Sequence, residues 1–309
     1  MTKIAFLFPG QGSQYVGMGK DLAQTETGEK LFFQADEILG FPLSTLCFQG
    51  PEEELKQTFN TQPSILTVSL IAFELLKAKG IRPALAAGHS LGEYSALAAA
   101  GALSFVDAVR LVRIRGRLMA EATKTVGGGM AAIVGLTLQQ VVDLCAEASA
   151  AGLVQAVNFN SPAQTAISGT KEGVAKAIEL ALAKGAKRAL PLPVSAPFHS
   201  SLMDPVAEKF RSELETAKIA DAAIPVVANI DARPETKAGE IRRNLVKQIN
   251  GPVRWTETIQ FMLAQGITTF IEVGPGKVLT GLLRQINKEA QCFPVESPAS
   301  IEELAAKLL

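Results

Sequence analysis

The chain has 309 residues, 48% of them hydrophobic and 19% charged, with 30 basic side chains against 30 acidic ones. That length can bury a substantial core without help from disulfides or metal, and the balanced charge excludes the broad basic field of a nucleic-acid or anionic-membrane binder, so neither partner is expected. Three cysteines without CxxC spacing (Cys47, Cys145, Cys292) and only two histidines argue against a disulfide framework and against a metal centre.

In chain order, Ile4 to Phe8 is an apolar run too short for a signal peptide, and it passes straight into a Pro-Gly turn. It predicts a first core strand and a cytoplasmic protein. Further strands are predicted at Leu85 to His89, Pro225 to Asn229, Thr269 to Val273 and Cys292 to Val295. Amphipathic helices are predicted between them at Ser64 to Lys79, Ser104 to Ala122, Leu202 to Ala217, Ala238 to Ile249, Thr256 to Gln265 and Lys277 to Asn287. The alternation is that of an α/β fold with a mostly parallel sheet.

The middle of the chain reads differently. After Gly127-Gly128-Gly129 come a strand (Met130 to Val134), a helix (Leu138 to Ala150), two strands (Leu153 to Phe159 and Thr165 to Ser168), a helix (Lys171 to Ala183) and a strand (Lys187 to Leu192). This is the βαββαβ order of a ferredoxin-like unit. The predicted organisation is a large α/β domain, 1–126 and 195–309, interrupted by a small subdomain, 127–194, with a ligand cleft between them.

Gly88-His89-Ser90-Leu91-Gly92 lies between a predicted strand and a stretch of helix-forming composition. GxSxG in that setting is a nucleophile elbow, in which the glycines permit a sharp turn and close packing around a raised serine. The simpler alternative is a helix N-cap serine. The helix N-terminus behind Ser90 would favour a developing oxyanion. Serine needs a base, and histidine is the usual one. His89 precedes Ser90 on a strand and points to the other face, which leaves His199, in the loop Pro197-Phe198-His199-Ser200-Ser201. A third triad member is not readable: Asp204, Asp231, Glu272 and a backbone carbonyl all remain open.

On the helix from Ser104 to Ala122, Arg110, Arg113 and Arg117 share one face, as solvated arginines do. Arg115 projects instead into the apolar stripe of Ala108, Leu111, Val112, Leu118, Met119 and Ala122. An arginine there is either salt-bridged or snorkelling, or else it is a receptor for a substrate carboxylate, which its fork matches.

With these segments in place, the chain resembles the malonyl-CoA:acyl-carrier-protein transacylases over essentially its whole length. The matching segments are Phe8-Pro9-Gly10-Gln11-Gly12-Ser13-Gln14, Thr61-Gln62-Pro63, Gly88 through Ser95, the Arg115 helix, Asn158-Phe159-Asn160-Ser161-Pro162, Leu190 through Ser195, and Glu272 through Lys277. The resemblance implies an α/β-hydrolase-like core with the ferredoxin-like insert. It also implies malonyl transfer from malonyl-CoA to acyl carrier protein with release of coenzyme A, by a ping-pong route through Ser90 and without a cofactor. It makes His199 the base, the backbone N–H groups of Gln11 and Leu91 the oxyanion hole, Arg115 the carboxylate receptor and the Gln248 carbonyl the group that orients His199. Gln62, Phe198, His89, Asn158 and Asn160 would line the pocket, and Phe198 looks like the variant that related polyketide acyltransferases pair with malonyl units. Lys187, Arg188, Lys277 and Arg284 are candidates for meeting an acidic carrier protein. A serine hydrolase or thioesterase, and a non-catalytic acyl-CoA sensor, are the rival readings.

Overall fold

The computed structural model describes residues 3–125, 127–194 and 196–308. Strand β1 (Ile4–Phe8) alternates its side chains between two buried faces. Phe6 and Phe8 enter one apolar cluster, while Ala5 and Leu7 enter another. A strand covered on both faces belongs in the middle of a parallel sheet. After β1 the chain forms α1 (Glu26–Leu39), α2 (Leu43–Gln49), α3 (Glu52–Leu55) and α4 (Thr58–Ala78), and returns to the sheet as β2 (Leu85–Gly88). The first three of these helices were not singled out by periodicity. For α1 the signals are Thr25, whose side chain accepts from the Gly28 N–H, and the left-handed Gly40 at its C-terminus.

Helix α4 begins six residues earlier than the expected Ser64, and Pro63 lies within it. Proline has no N–H to give the carbonyl four residues back, so Phe59 would lose its helical partner. Arg113 supplies one, donating from Nη1 to the Phe59 carbonyl at 2.6 Å. Arg113 is therefore not the solvated arginine the helical wheel predicts. It is half-buried, bonded also to Asn60, and stacked on the rings of Phe41 and Phe59.

Helices α5 (Gly92–Ala99) and α6 (Phe105–Thr125) follow β2. The chain then leaves the sheet for β3 (Gly129–Val134), α7 (Leu138–Ala148), β4 (Val154–Ser161), β5 (Gln164–Gly169), α8 (Lys171–Ala183) and β6 (Arg188–Pro191). These four strands form an antiparallel sheet in the order β4-β5-β3-β6, the expected βαββαβ unit, with a separate core around Ile133, Leu144, Ile167 and Ala177. Val126 and Ser195, at the predicted boundaries, lie outside the described residues, as do Met1, Thr2 and Leu309. The insert is pinned to the main sheet's surroundings where Val253 exchanges backbone hydrogen bonds with Val157 and Phe159.

The remainder comprises α9 (Asp204–Thr216), β7 (Val226–Val227), β8 (Pro234–Glu235), α10 (Ala238–Asn250), α11 (Trp255–Ala264), β9 (Thr269–Val273), α12 (Val278–Ile286), β10 (Gln291–Val295) and α13 (Pro298–Leu308). The main sheet has the order β10-β9-β1-β2-β7-β8, parallel except for the antiparallel edge pair β7/β8. Gly10, Ser90 and Asn229 thus all follow the carboxyl ends of neighbouring strands, where open α/β sheets place their sites. Among the described residues no helix is long and apolar enough to cross a membrane.

Candidate active site

Two glycines shape the serine turn. A Cβ on Gly88 would fall 1.9 Å from the Gly92 carbonyl, and a Cβ on Gly92 would fall 2.0 Å from the carbonyl oxygen of Phe8. Only hydrogen fits at either place. Between them Ser90 has φ +50°, a left-handed conformation that costs energy for a residue with a side chain. The turn is held by groups distant in sequence: Ser90 N–H donates to Asn229 Oδ1 at 2.8 Å, and the Ser90 carbonyl accepts from Gln248 Nε2 at 2.9 Å. Asn229 also donates to the Gly88 carbonyl at 2.7 Å, so it clamps both sides of the turn. The sequence reading missed Asn229. Its one signal was a polar amide at the end of a predicted strand.

His199 Nε2 lies 2.8 Å from Ser90 Oγ. Its Nδ1 faces the carbonyls of Gln248 at 2.8 Å and Gly251 at 3.2 Å. Carbonyls accept only, so Nδ1 carries the proton and Nε2 is left as the acceptor for the serine hydroxyl. Burial, and next the Arg115 cation, push the His199 pKa down to about 3, so the ring is neutral. Among the described residues no carboxylate completes a triad. Asp204 is bonded to Asn250, Asp231 accepts from the Arg233 N–H, and Glu272 caps α12 through Leu279 and Thr280. His89 turns away from Ser90, with its Nε2 2.9 Å from Asn160 Oδ1 and its ring edge-on to Trp255.

Arg115 is 1% exposed, and among the described residues it has no carboxylate within ion-pair distance. Its Nη1 donates to Gln62 Oε1, and its Nη2 donates to Gln248 Oε1 and Ser90 Oγ, at 2.9, 2.9 and 3.0 Å. Among the described residues its Nε has no hydrogen-bond partner. Three neutral acceptors hold the fork open beside the serine. The salt-bridge alternative for this arginine is not what the structure contains.

The backbone N–H groups of Gln11 and Leu91 have no hydrogen-bond partner among the described residues. Leu91 adjoins Ser90, and the Gln11 loop packs against the turn so closely that a Cβ on Gly10 would lie 2.4 Å from the His89 carbonyl oxygen. Such free donors at a strand-helix turn can stabilise an oxyanion. A cleft of about 1100 Å³ has Gln11, Phe198, Arg113 and Arg117 in its lining, though not Ser90, Arg115 or His199 themselves. Gln62 is buried against Arg115 and is not in that lining. Asn158 sits at the bridge to Val253 and Asn160 on His89, so neither lines this cleft.

Below the serine lies a buried carboxylate, Glu93, which accepts from Gln248 Nε2 at 2.7 Å and Asn229 N–H at 3.2 Å. Burial is the main cause that pushes its pKa up to about 7, against the pull of those hydrogen bonds and of Arg115. Neither Glu93 nor the Gln248 side-chain amide was assigned a role from the sequence.

The chain is similar to known proteins over nearly its whole length. Residues 5–306 match the acyl transferase domain family. The malonyl CoA-acyl carrier protein transacylase of Bacillus subtilis is 51% identical over 98% of this chain and 96% of its own. The crystal structure of an acyl-carrier-protein S-malonyltransferase from Burkholderia pseudomallei superposes with a TM-score of 0.95 at 48% identity, over 99% of this chain and 100% of that one. A malonyl-transacylase in complex with its type II polyketide acyl-carrier protein superposes with a TM-score of 0.96 at 44% identity, over 99% and 100% of the two chains. The chain therefore belongs to the acyl transferase family, among the malonyl CoA-acyl carrier protein transacylases.

Proposed function

We propose that this protein carries a malonyl group from malonyl-CoA to the phosphopantetheine thiol of acyl carrier protein through an ester on Ser90. The observation that carries the choice of acyl group is Arg115, a buried guanidinium that has no carboxylate within ion-pair distance among the described residues and donates to the serine oxygen. A malonyl carboxylate supplies the bidentate partner it lacks.

In the first half-reaction His199 Nε2 takes the Ser90 proton, and Oγ attacks the thioester carbonyl. The oxyanion is held by the N–H groups of Gln11 and Leu91. Collapse expels coenzyme A, whose sulfur takes the proton from His199. In the second half-reaction His199 accepts the proton of the carrier's thiol, the thiolate attacks the malonyl ester, and Ser90 leaves with that proton. Each step uses only side chains and backbone of this chain, so no cofactor is proposed. The carrier meets exposed basic side chains, for which Lys187, Arg188, Lys277 and Arg284 are the candidates. The malonyl units feed fatty-acid or polyketide synthesis, and the protein works in the cytoplasm.

Intact-mass measurement after mixing with malonyl-CoA tests the reading. The parent protein gains one malonyl group and Ser90→Ala gains none; equal adducts in both would overturn it. Release of the group onto acyl carrier protein, rather than to water in its absence, separates a transferase from a hydrolase.

A further inference from the structure

Acyl transfer as described makes no use of Glu93, yet the structure keeps this carboxylate fully buried one turn beyond the nucleophile. A buried carboxylate is costly unless its bonds are needed. Its Oε2 accepts both of its hydrogen bonds, from groups that hold the site, namely Gln248 Nε2 and the backbone N–H of Asn229. Its Oε1 has no partner among the described residues.

The Gln248 side chain links three parts of the site. Its Nε2 donates to Glu93 and to the Ser90 carbonyl, and its Oε1 accepts from Arg115 Nη2. An amide has nearly the same shape either way round but opposite polarity, so its neighbours decide which end faces which. Glu93 Oε2 already receives two N–H groups, so it presents an acceptor to Gln248 in either protonation state, and the ionised form anchors the NH₂ end the more strongly. Turned round, the same amide would set its NH₂ against the Arg115 guanidinium and its oxygen against the Ser90 carbonyl. The guanidinium would then be pushed off the line that meets an acyl carboxylate.

We propose that Glu93 is a positioning residue that fixes the polarity of the Gln248 amide, and through it aims Arg115 at the carboxylate of the acyl group. Glu93 touches neither substrate nor the reacting atoms. The inference rests on the malonyl-transfer reading and adds to it a second layer that sets acyl selectivity.

The test is the ratio of Ser90 acylation rates with malonyl-CoA and acetyl-CoA, measured by intact mass on the full chain. Glu93→Leu removes the acceptor at similar size, and the malonyl-to-acetyl ratio is expected to fall at least tenfold, with the larger loss on the malonyl side. Glu93→Gln keeps an acceptor oxygen for Gln248 Nε2 and is expected to stay within about threefold of the parent ratio. Gln248→Leu, which keeps the backbone carbonyl to His199, should reproduce the fall, and the double variant Glu93→Leu/Gln248→Leu should add little to it, because both remove one interaction. If Glu93→Leu does not fold, Glu93→Asp withdraws the carboxylate by one methylene and should lower the ratio in the same direction. An unchanged ratio in a folded Glu93→Leu or Glu93→Asp protein, with both rates lowered equally, assigns Glu93 a purely structural role and overturns the proposal. The parent protein reports on the underlying reading separately: no malonyl adduct on Ser90 would overturn that reading and the inference with it.

Discussion

Arg115 Nη2 donates to Ser90 Oγ at 3.0 Å, so the candidate nucleophile and the candidate carboxylate receptor are in contact before any acyl group arrives. The serine oxygen thus accepts from a cation while its own proton points to His199 Nε2 at 2.8 Å. A neighbouring positive charge favours the alkoxide character that attack requires. It also disfavours a protonated His199, which leaves Nε2 free to accept a proton.

Arg115→Ala removes both effects. The malonyl-to-acetyl ratio of acylation rates should fall about a hundredfold, on the order of 3 kcal/mol, as expected for losing one partner of a buried charged pair. Acetyl transfer should fall less than malonyl transfer. Initial rates with the two thioesters check this, and an unchanged ratio would refute the assigned role.

Asn229→Ala leaves the Ser90 N–H and the Gly88 carbonyl without their partners, at a turn whose central residue is already left-handed. Two unsatisfied backbone groups, one buried and one part-buried, should cost about 2–4 kcal/mol. A lower urea midpoint is expected together with slower Ser90 acylation. A parent-like midpoint would mean that the turn holds its shape without this clamp.

His199 should remain neutral well below the ordinary histidine range, because burial and the Arg115 cation both oppose its protonation. Burial also lowers the pKa of His89. With only two histidines in the chain, ring-labelled NMR should show His199 not titrating between pH 8 and pH 5, with its proton on Nδ1, and His89 titrating below the ordinary histidine range. A transition near pH 6.5 assigned to His199 would contradict this.

Gly92→Ala places a methyl group 2.0 Å from the Phe8 carbonyl oxygen and 2.9 Å from that of Pro9. Both neighbours are backbone at the end of the central strand and cannot swing aside. The variant should lose more than about 3 kcal/mol of stability. Thermal unfolding is the check, and a melting temperature equal to the parent's would show that the turn can open.

The strands at Ile4–Phe8 and Thr269–Val273 and the βαββαβ order of the insert were legible in the sequence, because short-range periodicity and turn chemistry report local structure directly. The start of α4 was not. Proline normally marks a helix boundary, and the group that compensates for Pro63 is an arginine on another helix, 54 residues from the carbonyl it bonds. Ser90 and His199 were singled out by motif and elimination, and Arg115 stood out as a charge on an apolar stripe.

The candidate side chains could be read from the chain alone, since a serine turn, a scarce histidine and a misplaced arginine are local anomalies. Only the tertiary structure decided how they are held. Gln248 reaches Ser90 across 158 positions of sequence, and Asn229 across 139. Hydrogen bonds of that span leave no periodic trace, because their partners are brought together by the strand order of the sheet and not by spacing along the chain.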